Sequence, residues 1–315
     1  MIRNHQGERL PDFIIVGAAK GGTTSLYQYL NSLKKVYMTD LKEPHFFSFY
    51  KEKVDFQSPE ALNNVVNRFS DYQKLYLRAE EDQLVGDAST SYLYYYKKTI
   101  ENIKKIYGPS YRDVKIIITL RNPIERAWSQ VNHFKKFDHE PLEAIKAIDS
   151  KIIEKRINNN WNTFYDYIGF GKYYKQVKAY MDNFDQVHVM LYYELRDSKE
   201  ETLNSLANFI FETEDKDYIA EFANLNKKHN VSGKPKNFLS KAIWTITHRD
   251  NPIKRLAGVI FSERLKEFYY SKVNGKILAP VKMSPSFKEK LSVVYEDEID
   301  KLEELIDKDL SPWKD

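Results

Sequence analysis

A short stretch near the N-terminus combines glycines, hydroxyl side chains and a lysine directly after an apolar run. The apolar run is 13–16, and the next ten residues, 17–26, read Gly-Ala-Ala-Lys-Gly-Gly-Thr-Thr-Ser-Leu. This order predicts a buried strand, a tight loop and the first turn of a helix. Such a loop directs backbone N–H groups at one point, beside the positive end of a helix dipole. Together with the charge of Lys20, those groups predict a phosphate-binding site.

The loop differs from the Walker A pattern of kinases and ATPases in the place of its lysine. Walker A has a lysine directly after its second glycine, whereas here Gly22 is followed by Thr23 and the lysine lies earlier in the loop. The second strong strand, 115–120, is followed by Arg121 and not by an aspartate that could hold magnesium. Arginine binds phosphate directly. The sequence therefore predicts a nucleotide site that works without a metal, with Asp87 as a weaker candidate for a Mg²⁺ ligand.

The composition is that of a globular protein and excludes several kinds of site. The chain has 315 residues, with 49 Lys and Arg against 45 Asp and Glu, and it has no cysteine. Thiolate zinc sites, iron–sulfur clusters, disulfides and cysteine nucleophiles are therefore excluded. The small basic excess suits an anionic ligand and is too diffuse to predict nucleic-acid binding. With no visible signal peptide and no apolar run long enough to span a bilayer, the expected location is the cytoplasm.

Strands and helices are predicted to alternate along the chain. The expected strands are 13–16, a short one around 85, 115–120 and 187–191. The expected helices are 24–35, 59–80, 92–107, a helix begun by Pro123, 139–160, 173–183, a helix after Ser198, 238–270 and a last helix after Ser284. This alternation predicts one α/β domain over 1–315, a P-loop-like fold of three layers with a central parallel sheet and helices on both faces.

Five separated patches, spread over nearly the whole chain, resemble a known enzyme family. They are the loop at 17–26, Lys-Glu-Pro-His-Phe-Phe at 42–47, Arg-Asn-Pro-Ile-Glu-Arg-Ala-Trp-Ser at 121–129, the pair 171–174 and 191–195, and the basic loop 230–236. The chain resembles sulfotransferases that use 3′-phosphoadenosine 5′-phosphosulfate (PAPS), and especially the carbohydrate branch that includes the heparan sulfate enzymes. The first and third patches, in this order, are the most specific.

The resemblance implies how the donor PAPS and its product PAP would be bound. Lys20 would stabilise the leaving phosphate, where negative charge builds during sulfuryl transfer. The implied binding residues are Gly21, Gly22, Thr23, Thr24 and Ser25 for the 5′-phosphate, Arg121 and Ser129 for the 3′-phosphate, Tyr173 or Tyr174 near the adenine, and Ser232, Gly233 and Lys234 as a basic lid. Because the site needs no Mg²⁺ in this scheme, no metal is expected.

The resemblance also implies a residue that takes a proton from the acceptor. Glu43 matches the glutamate proposed as the base in heparan-type enzymes, and rigid Pro44 with an aromatic wall could raise its pKa. His45 is the rival, since other sulfotransferases use histidine. Two further residues of the third patch and its helix are interpreted as structural. Arg126 is interpreted as an ion-pair partner within the helix, and His133 as a helix-face residue.

The acceptor implied by the second patch is a hydroxyl, or an amine, of a carbohydrate. One departure weakens the case for a heparan-like acceptor: the heparan enzymes have Lys-Thr-Pro-Ser-Tyr where this chain has Ala88 in place of the lysine and Thr90 in place of the proline. Two other functions stay open. One is a P-loop kinase or NTPase with a displaced lysine, which would require Mg²⁺. The other is a module that binds polyanions without catalysis.

Overall fold

A central parallel sheet organises the protein, whose computed structural model describes residues 2–3, 7–60, 62, 64–211, 233–235, 278–280 and 282–314. The strands of the sheet are β1 Phe13–Gly17, β2 Val36–Met38, β3 Leu84–Ala88, β4 Lys115–Leu120 and β5 Val187–Leu191. They pair in parallel in the order β2-β3-β1-β4-β5. Two short strands, β6 Gly233–Pro235 and β7 Leu278–Pro280, pair with each other in antiparallel fashion.

Helices fill most of the connections between the strands. In chain order they are α1 Thr23–Ser32, α2 Phe46–Phe49, α3 Phe69–Lys74, α4 Ser91–Tyr94, α5 Tyr96–Tyr107, α6 Pro123–Lys136, α7 Ala144–Ala147, α8 Ser150–Asn158, α9 Tyr173–Asn183, α10 Tyr192–Asp197, α11 Lys199–Phe211 and α12 Pro285–Ile306. Short 3₁₀ helices lie at Gly108–Asp113, Thr163–Tyr165, Gly169–Gly171 and Ser311–Trp313. Within the described ranges, no helix combines the length and the apolar character that crossing a membrane requires.

The two faces of the sheet carry separate apolar cores because successive side chains of a strand point to opposite faces. Ile14 and Val16 of β1 join the larger core, which includes residues of α5, α6, α9 and α12. Phe13 and Ile15 join the smaller core, which includes residues of α1 and α11. The predicted α/β fold, with a central parallel sheet and helices on both faces, is confirmed.

The fold brings the ends of three strands together. β1 lies between β3 and β4, so their carboxyl ends are neighbours at one edge of the sheet. The segments that follow them are 18–22, 89–90 and 121–122. In open α/β sheets, ligands bind in the crevice outside this edge.

Three predicted helices differ from the structure: 59–80, 92–107 and 139–160. The second is interrupted at Tyr95, between α4 and α5. The predicted helix 238–270 lies outside the described residues. Of 59–80, only α3 is helical in the described residues, and 139–160 is divided between α7 and α8. The first segment contains Asn and Val residues, which are poor helix formers. Its backbone is also bonded elsewhere, since Val66 N donates to Pro44 O at 2.9 Å.

Candidate active site

The predicted strand, loop and helix are present, and β4 holds the loop in place. Ala18 N donates to Thr119 O at 2.7 Å, and Thr119 Oγ1 donates to Gly21 O at 2.7 Å. A Cβ atom at Gly21 would lie 2.6 Å from Thr119 O, so only glycine fits there. Gly22, which precedes α1, has φ +95°, a conformation that favours glycine. The glycines therefore let the loop turn tightly against β4.

The first turn of α1 is open to an anion. Thr23 is buried, Thr24 is exposed and Ser25 is partly buried. Within the described chain, no side chain caps this helix and no acidic residue lies in its first turn. The first N–H groups of a helix have no partner inside the helix, and they carry its positive dipole end. The binding of a 5′-phosphate at this turn stays a prediction.

The charge of Lys20 interacts with those of Arg121 and Glu43. Burial and, next, the charge of Arg121 lower the pKa of Lys20 to about 8, against the opposing effect of the charge of Glu43. A like charge disfavours the ammonium form, and an opposite charge favours it. The structure therefore brings the predicted leaving-group lysine, the predicted phosphate-binding arginine and the predicted base into one electrostatic neighbourhood.

Arg121 directly follows β4, as predicted, and its guanidinium group has two contacts. Its Nε and Nη2 atoms donate to Glu125 Oε2 at 3.1 and 3.0 Å, and its plane lies 4.8 Å from the centre of the Tyr192 ring. Two of its five N–H groups are used in this way, so others remain for a phosphate. Ser129 lies further along α6 and is partly buried.

Tyr192 lies near both the glycine loop and Arg121, a position that the sequence did not reveal. Its ring lies beside Gly22, where a Cβ atom would be 3.0 Å away, and also beneath Arg121. Tyr192 begins α10 directly after β5, the strand next to β4. Tyr192 belongs to the patch 191–195, but only the sheet order places it near both the loop and the arginine.

Arg126 does not have the role expected from the sequence. It is 1% exposed, its Nη2 donates to Tyr167 O, and its guanidinium lies 5.8 Å from the centre of the Phe170 ring. Within the described chain, no carboxylate forms an ion pair with it. The interpretation as an ion-pair partner is therefore wrong, because this side of α6 faces the core and not solvent.

Glu43 has a defined set of partners on both carboxylate oxygens. Lys42 Nζ lies 2.7 Å from Oε1, and Thr90 Oγ1 donates to Oε2 at 2.8 Å. His45 Nε2 lies 3.8 Å from Oε2. The backbone of Glu43 has φ +60°, and its N–H donates to Ala88 O at 3.0 Å. Thr90, which replaces the family's proline, thus contacts the predicted base directly.

The expected rise in the pKa of Glu43 is wrong. Burial does work against its charge, but Lys42, the proximity of His45 and the hydrogen bond from Thr90 outweigh burial and lower the pKa to about 2. The aromatic residues after Pro44 are buried in the core, and the ion pair with Lys42 dominates around the carboxylate. Glu43 is therefore ionised over the physiological pH range.

His45 is buried beside Glu43, whereas His133 is exposed on α6. Burial lowers the pKa of His45 to about 4, against the opposing charge of Glu43, so its imidazole is neutral near pH 7. Neighbouring atoms desolvate the His133 ring and lower its pKa, and the charge of Lys20 adds to this effect. His133 does lie on a helix face, as expected, and that face is turned towards the site.

Asp87 is held by hydroxyl groups. It is the next-to-last residue of β3, is buried, and its Oδ2 accepts from Tyr72 and Tyr92 at 2.7 Å each. Ser89 Oγ donates to Oδ1 at 3.3 Å. Burial raises the pKa of Asp87 to about 6, and the hydrogen bonds limit that rise. These contacts indicate a structural role and do not favour Asp87 as a Mg²⁺ ligand.

The remaining predicted residues are two tyrosines and the lid. Tyr173 is buried close to Arg121, with its ring 6.3 Å from that of Trp313; burial raises the pKa of Tyr173 to about 12, and the charges of Arg126 and Arg121 oppose that rise. Tyr174 is half-buried on α9. In the predicted lid, Ser232 lies outside the described residues, and only the backbone of Gly233 and Lys234 is described, in β6. The roles of Tyr174 and of the lid stay predictions.

Comparison with known proteins identifies the family. A family model described as a sulfotransferase domain matches residues 10–255. This chain belongs to the sulfotransferase family. The crystal structure of a sulfotransferase from Alicyclobacillus acidocaldarius is similar over 98% of this chain and 100% of that one, with 25% identity and a TM-score of 0.72. The predicted enzyme family and the predicted fold are therefore confirmed.

Two curated relatives show the range of the family. The membrane-associated sulfotransferase kil1 of Dictyostelium discoideum is 27% identical over 138 residues, which are 42% of this chain and 26% of kil1. The mouse heparan sulfate glucosamine 3-O-sulfotransferase 3A1 is 26% identical over 186 residues, 58% of this chain and 41% of that enzyme. The matches thus span less than half the length of either curated relative.

Proposed function

We propose that this sulfotransferase moves the sulfuryl group of PAPS to a hydroxyl group of a carbohydrate. The observation that supports this most strongly is the meeting of three groups at the carboxyl ends of β1, β3 and β4. Lys20 comes from the loop after β1, Arg121 follows β4, and Glu43 is bonded to Ala88 at the end of β3. A donor with two separate anionic ends suits two separate cationic positions.

The donor would lie across the loop and the start of α6. The N–H groups at the start of α1 would bind the 5′-phosphate, and Lys20 would face the oxygen that joins phosphate to sulfate. Arg121 and Ser129 would bind the 3′-phosphate, since Arg121 keeps unused N–H groups. Tyr192 would separate the two ends, because its ring touches both Gly22 and Arg121.

Glu43 is better placed than His45 to receive the proton of the acceptor. The Glu43 side chain is 24% exposed and that of His45 only 3%, so an incoming hydroxyl can reach Glu43 more easily. A carboxylate has about four acceptor positions, and Lys42 and Thr90 occupy two of them. A pKa near 2 makes a weak base, but an anionic donor beside Glu43 would raise that pKa by charge repulsion.

The proposed reaction is an in-line displacement at sulfur. Glu43 takes the hydroxyl proton while the acceptor oxygen forms a bond to sulfur, and the bond between sulfur and the bridging oxygen breaks. The electron pair of that bond stays on the phosphate, where Lys20 and the loop N–H groups stabilise the new charge. The products are the sulfated acceptor and PAP. None of these steps requires a metal.

Three observations support a carbohydrate acceptor. The residues at 42–47 match a segment of the heparan enzymes, and one curated relative is named as a heparan sulfate glucosamine sulfotransferase. Lys42 is an additional cation at the open side of Glu43, which suits an acceptor that already carries negative groups. We therefore propose a glycan or glycoconjugate, and a cytoplasmic location stays the expectation from the sequence.

The first experiment is calorimetric titration of PAP and of ATP, each with EDTA and each with Mg²⁺. We expect metal-independent binding of PAP. Lys20→Ala and Arg121→Ala should each weaken it about 10- to 100-fold, because each removes a charged contact to a phosphate. Lys34→Ala is the matched control, since Lys34 is an exposed lysine just beyond the end of α1. The Lys34→Ala variant should bind PAP with the same affinity as the wild type.

The same experiment can overturn the proposal. If ATP bound only with Mg²⁺ and PAP did not bind, a kinase or NTPase would replace the sulfotransferase assignment of the site. If PAP bound as expected, labelled PAPS would be offered with heparan-type oligosaccharides and with small hydroxyl compounds. Transfer to the oligosaccharides would support the glycan acceptor. Binding of oligosaccharide with no transfer to any compound would favour a polyanion-binding module.

A further inference from the structure

A buried chain of hydroxyl groups runs from the back of the site into the core. His45 Nδ1 lies 2.8 Å from Ser91 Oγ, which lies 2.9 Å from Ser48 Oγ, which lies 3.3 Å from Thr99 Oγ1. All four residues are buried, at 3% exposure for His45 and 0% for the other three. The chain connects α2, α4 and α5, and it ends at the imidazole that faces Glu43.

The charge of Glu43 fixes the direction of these hydrogen bonds. A carboxylate can only accept, and a neutral imidazole carries one N–H. His45 Nε2 faces Glu43 Oε2 at 3.8 Å, so a proton on Nε2 is favoured over a lone pair there. Nδ1 then has to accept, and Ser91 has to donate to it. Ser48 donates to Ser91 in turn, and Thr99 donates to Ser48.

The backbone of the same loop is anchored separately, so the imidazole itself has little freedom. His45 N donates to Ser89 Oγ at 3.0 Å, and Phe47 N donates to Tyr92 Oη at 3.4 Å. Ser89 and Tyr92 both donate to Asp87, which is buried beneath the loop. With the backbone held in this way, the remaining variable at His45 is which ring nitrogen carries the proton.

We propose that His45 is a positioning residue for Glu43, and that Ser91, Ser48 and Thr99 hold its imidazole in the Nε2–H form. This inference rests on the proposed role of Glu43 as the base. At 3.8 Å the Nε2–H group is too far from Oε2 of Glu43 for a hydrogen bond, and it presents the positive end of its N–H dipole to the carboxylate from the buried side. Lys42 and Thr90 occupy two of about four acceptor positions, so about two are left, one of which can receive the acceptor hydroxyl. His45 thus orients the base and does not itself touch the acceptor.

The first test reads the tautomer directly and needs no catalysis. In ¹⁵N-labelled protein, the nitrogen shifts of His45 distinguish the Nε2–H form from the Nδ1–H form, with His45→Gln for assignment. We expect the Nε2–H form in the wild type near pH 7. Ser91→Ala removes the donor to Nδ1 and should give a mixture of the two forms. A wild-type imidazole in the Nδ1–H form would overturn the proposal, whatever the enzyme's substrate is.

The second test separates the hydroxyl chain from packing. Thr99→Val keeps the side-chain shape and loses the hydroxyl, whereas Thr99→Ser keeps the hydroxyl. We expect Ser91→Ala to lower kcat about 10- to 100-fold, the scale found for groups that orient reactive ligands. Thr99→Val should lower kcat less, and Thr99→Ser should leave it near the wild-type value. The Kd for PAP should stay unchanged in all three variants, because none of these side chains belongs to the predicted donor site.

A third comparison decides between positioning and base catalysis. His45→Gln places an amide N–H near the position of Nε2–H and should retain more activity than His45→Ala. Glu43→Gln should lose activity whichever residue occupies position 45. If Glu43→Gln stayed active while His45→Gln did not, His45 would be the base and the proposal would be wrong. Failure of PAP to bind at all would refute the proposed function, and the tautomer measurement would still decide this inference.

Discussion

The ion pair between Lys42 and Glu43 gives the sharpest test of the site's electrostatics. The Lys42 ammonium lies 2.7 Å from Glu43 Oε1, and the two side chains are only 25% and 24% exposed. The pKa of Glu43 falls from the ordinary 4.5 to about 2 despite burial. A change of this size corresponds to about 3 kcal/mol between the protonated and ionised forms.

Replacing Lys42 by methionine keeps the length of the side chain and removes its charge. Lys42 contributes both its charge and a hydrogen bond to the low pKa of Glu43. Without it, burial is opposed by Thr90, by the neighbouring His45 and by the charge of Lys20. We therefore expect the pKa of Glu43 to rise to about 4 or above, because desolvation favours the protonated form.

Two assays follow the change. The side-chain carboxyl ¹³C signal of Glu43, assigned with Glu43→Gln, should titrate at higher pH in Lys42→Met than in the wild type. The pH profile of kcat/KM should gain an acid limb at the same pH, because a protonated Glu43 cannot accept a proton. Lys178→Met is the control, since Lys178 pairs with Asp182 on the exposed surface of α9. An unchanged Glu43 titration in Lys42→Met would refute the reasoning.

Three further predictions concern stability and donor binding. Burial raises the pKa of Asp87 to about 6, so the folded protein favours the protonated form more than the unfolded chain does. The free energy of unfolding should therefore fall by up to about 3 kcal/mol as the pH rises from about 4 to 6. In urea titrations, Asp87→Asn should abolish that loss. Gly22→Ala should lower Tm and weaken PAP binding, because φ is +95° and the Tyr192 ring lies 3.0 Å from the new Cβ. Gly7→Ala is the control for backbone strain alone, since Gly7 has φ +78° and open space around it. Equal losses of Tm in the two variants would mean that the contact with Tyr192 has no effect. Glu125→Gln should tighten PAP binding about two- to fivefold in calorimetry, because it frees Arg121 from a partly exposed ion pair. Weaker binding would mean that Glu125 orients the arginine.

The sequence predicted well the parts of the site whose signals are local. An apolar run followed by glycines and hydroxyl residues defines β1, the loop and α1. The helix that begins with Pro123 was expected, and the Asn122 side chain accepts from Ile124 N at 2.9 Å as its cap. Such signals lie within a few residues of each other, and they do not depend on the rest of the fold.

The sequence could not predict contacts that join distant segments. Thr90 reaches Glu43 across 47 positions, and Tyr192 meets Gly22 only because β5 lies beside β4. The low pKa of Glu43 was missed for a related reason. Pro44 and the aromatic residues were visible in the sequence, but whether Lys42 points to the carboxylate or to solvent depends on a backbone with φ +60° at Glu43.

The same limit explains the wrong helices and the hidden hydroxyl chain. Residues 59–80 carry apolar side chains at helical intervals, yet Val66 bonds to the backbone of Pro44, and that tertiary contact overrides the local pattern. A serine in a buried chain looks the same in sequence as a serine on the surface. Only the packing of α2 against α4 and α5 shows that Ser48 and Ser91 are buried partners.

The lowered pKa of Lys20 makes ligand binding a proton-linked event. Near pH 8 about half of the free protein carries a neutral Lys20, since its pKa is about 8. An anion seated beside it would restore the ordinary preference for the ammonium form, so the protein would take up as much as about half a proton on binding at that pH. The heat of binding would then depend on the ionisation enthalpy of the buffer, and the affinity would decline as the solution becomes more alkaline. We therefore expect the predicted anion site to bind its ligand most tightly below pH 8, where Lys20 is charged.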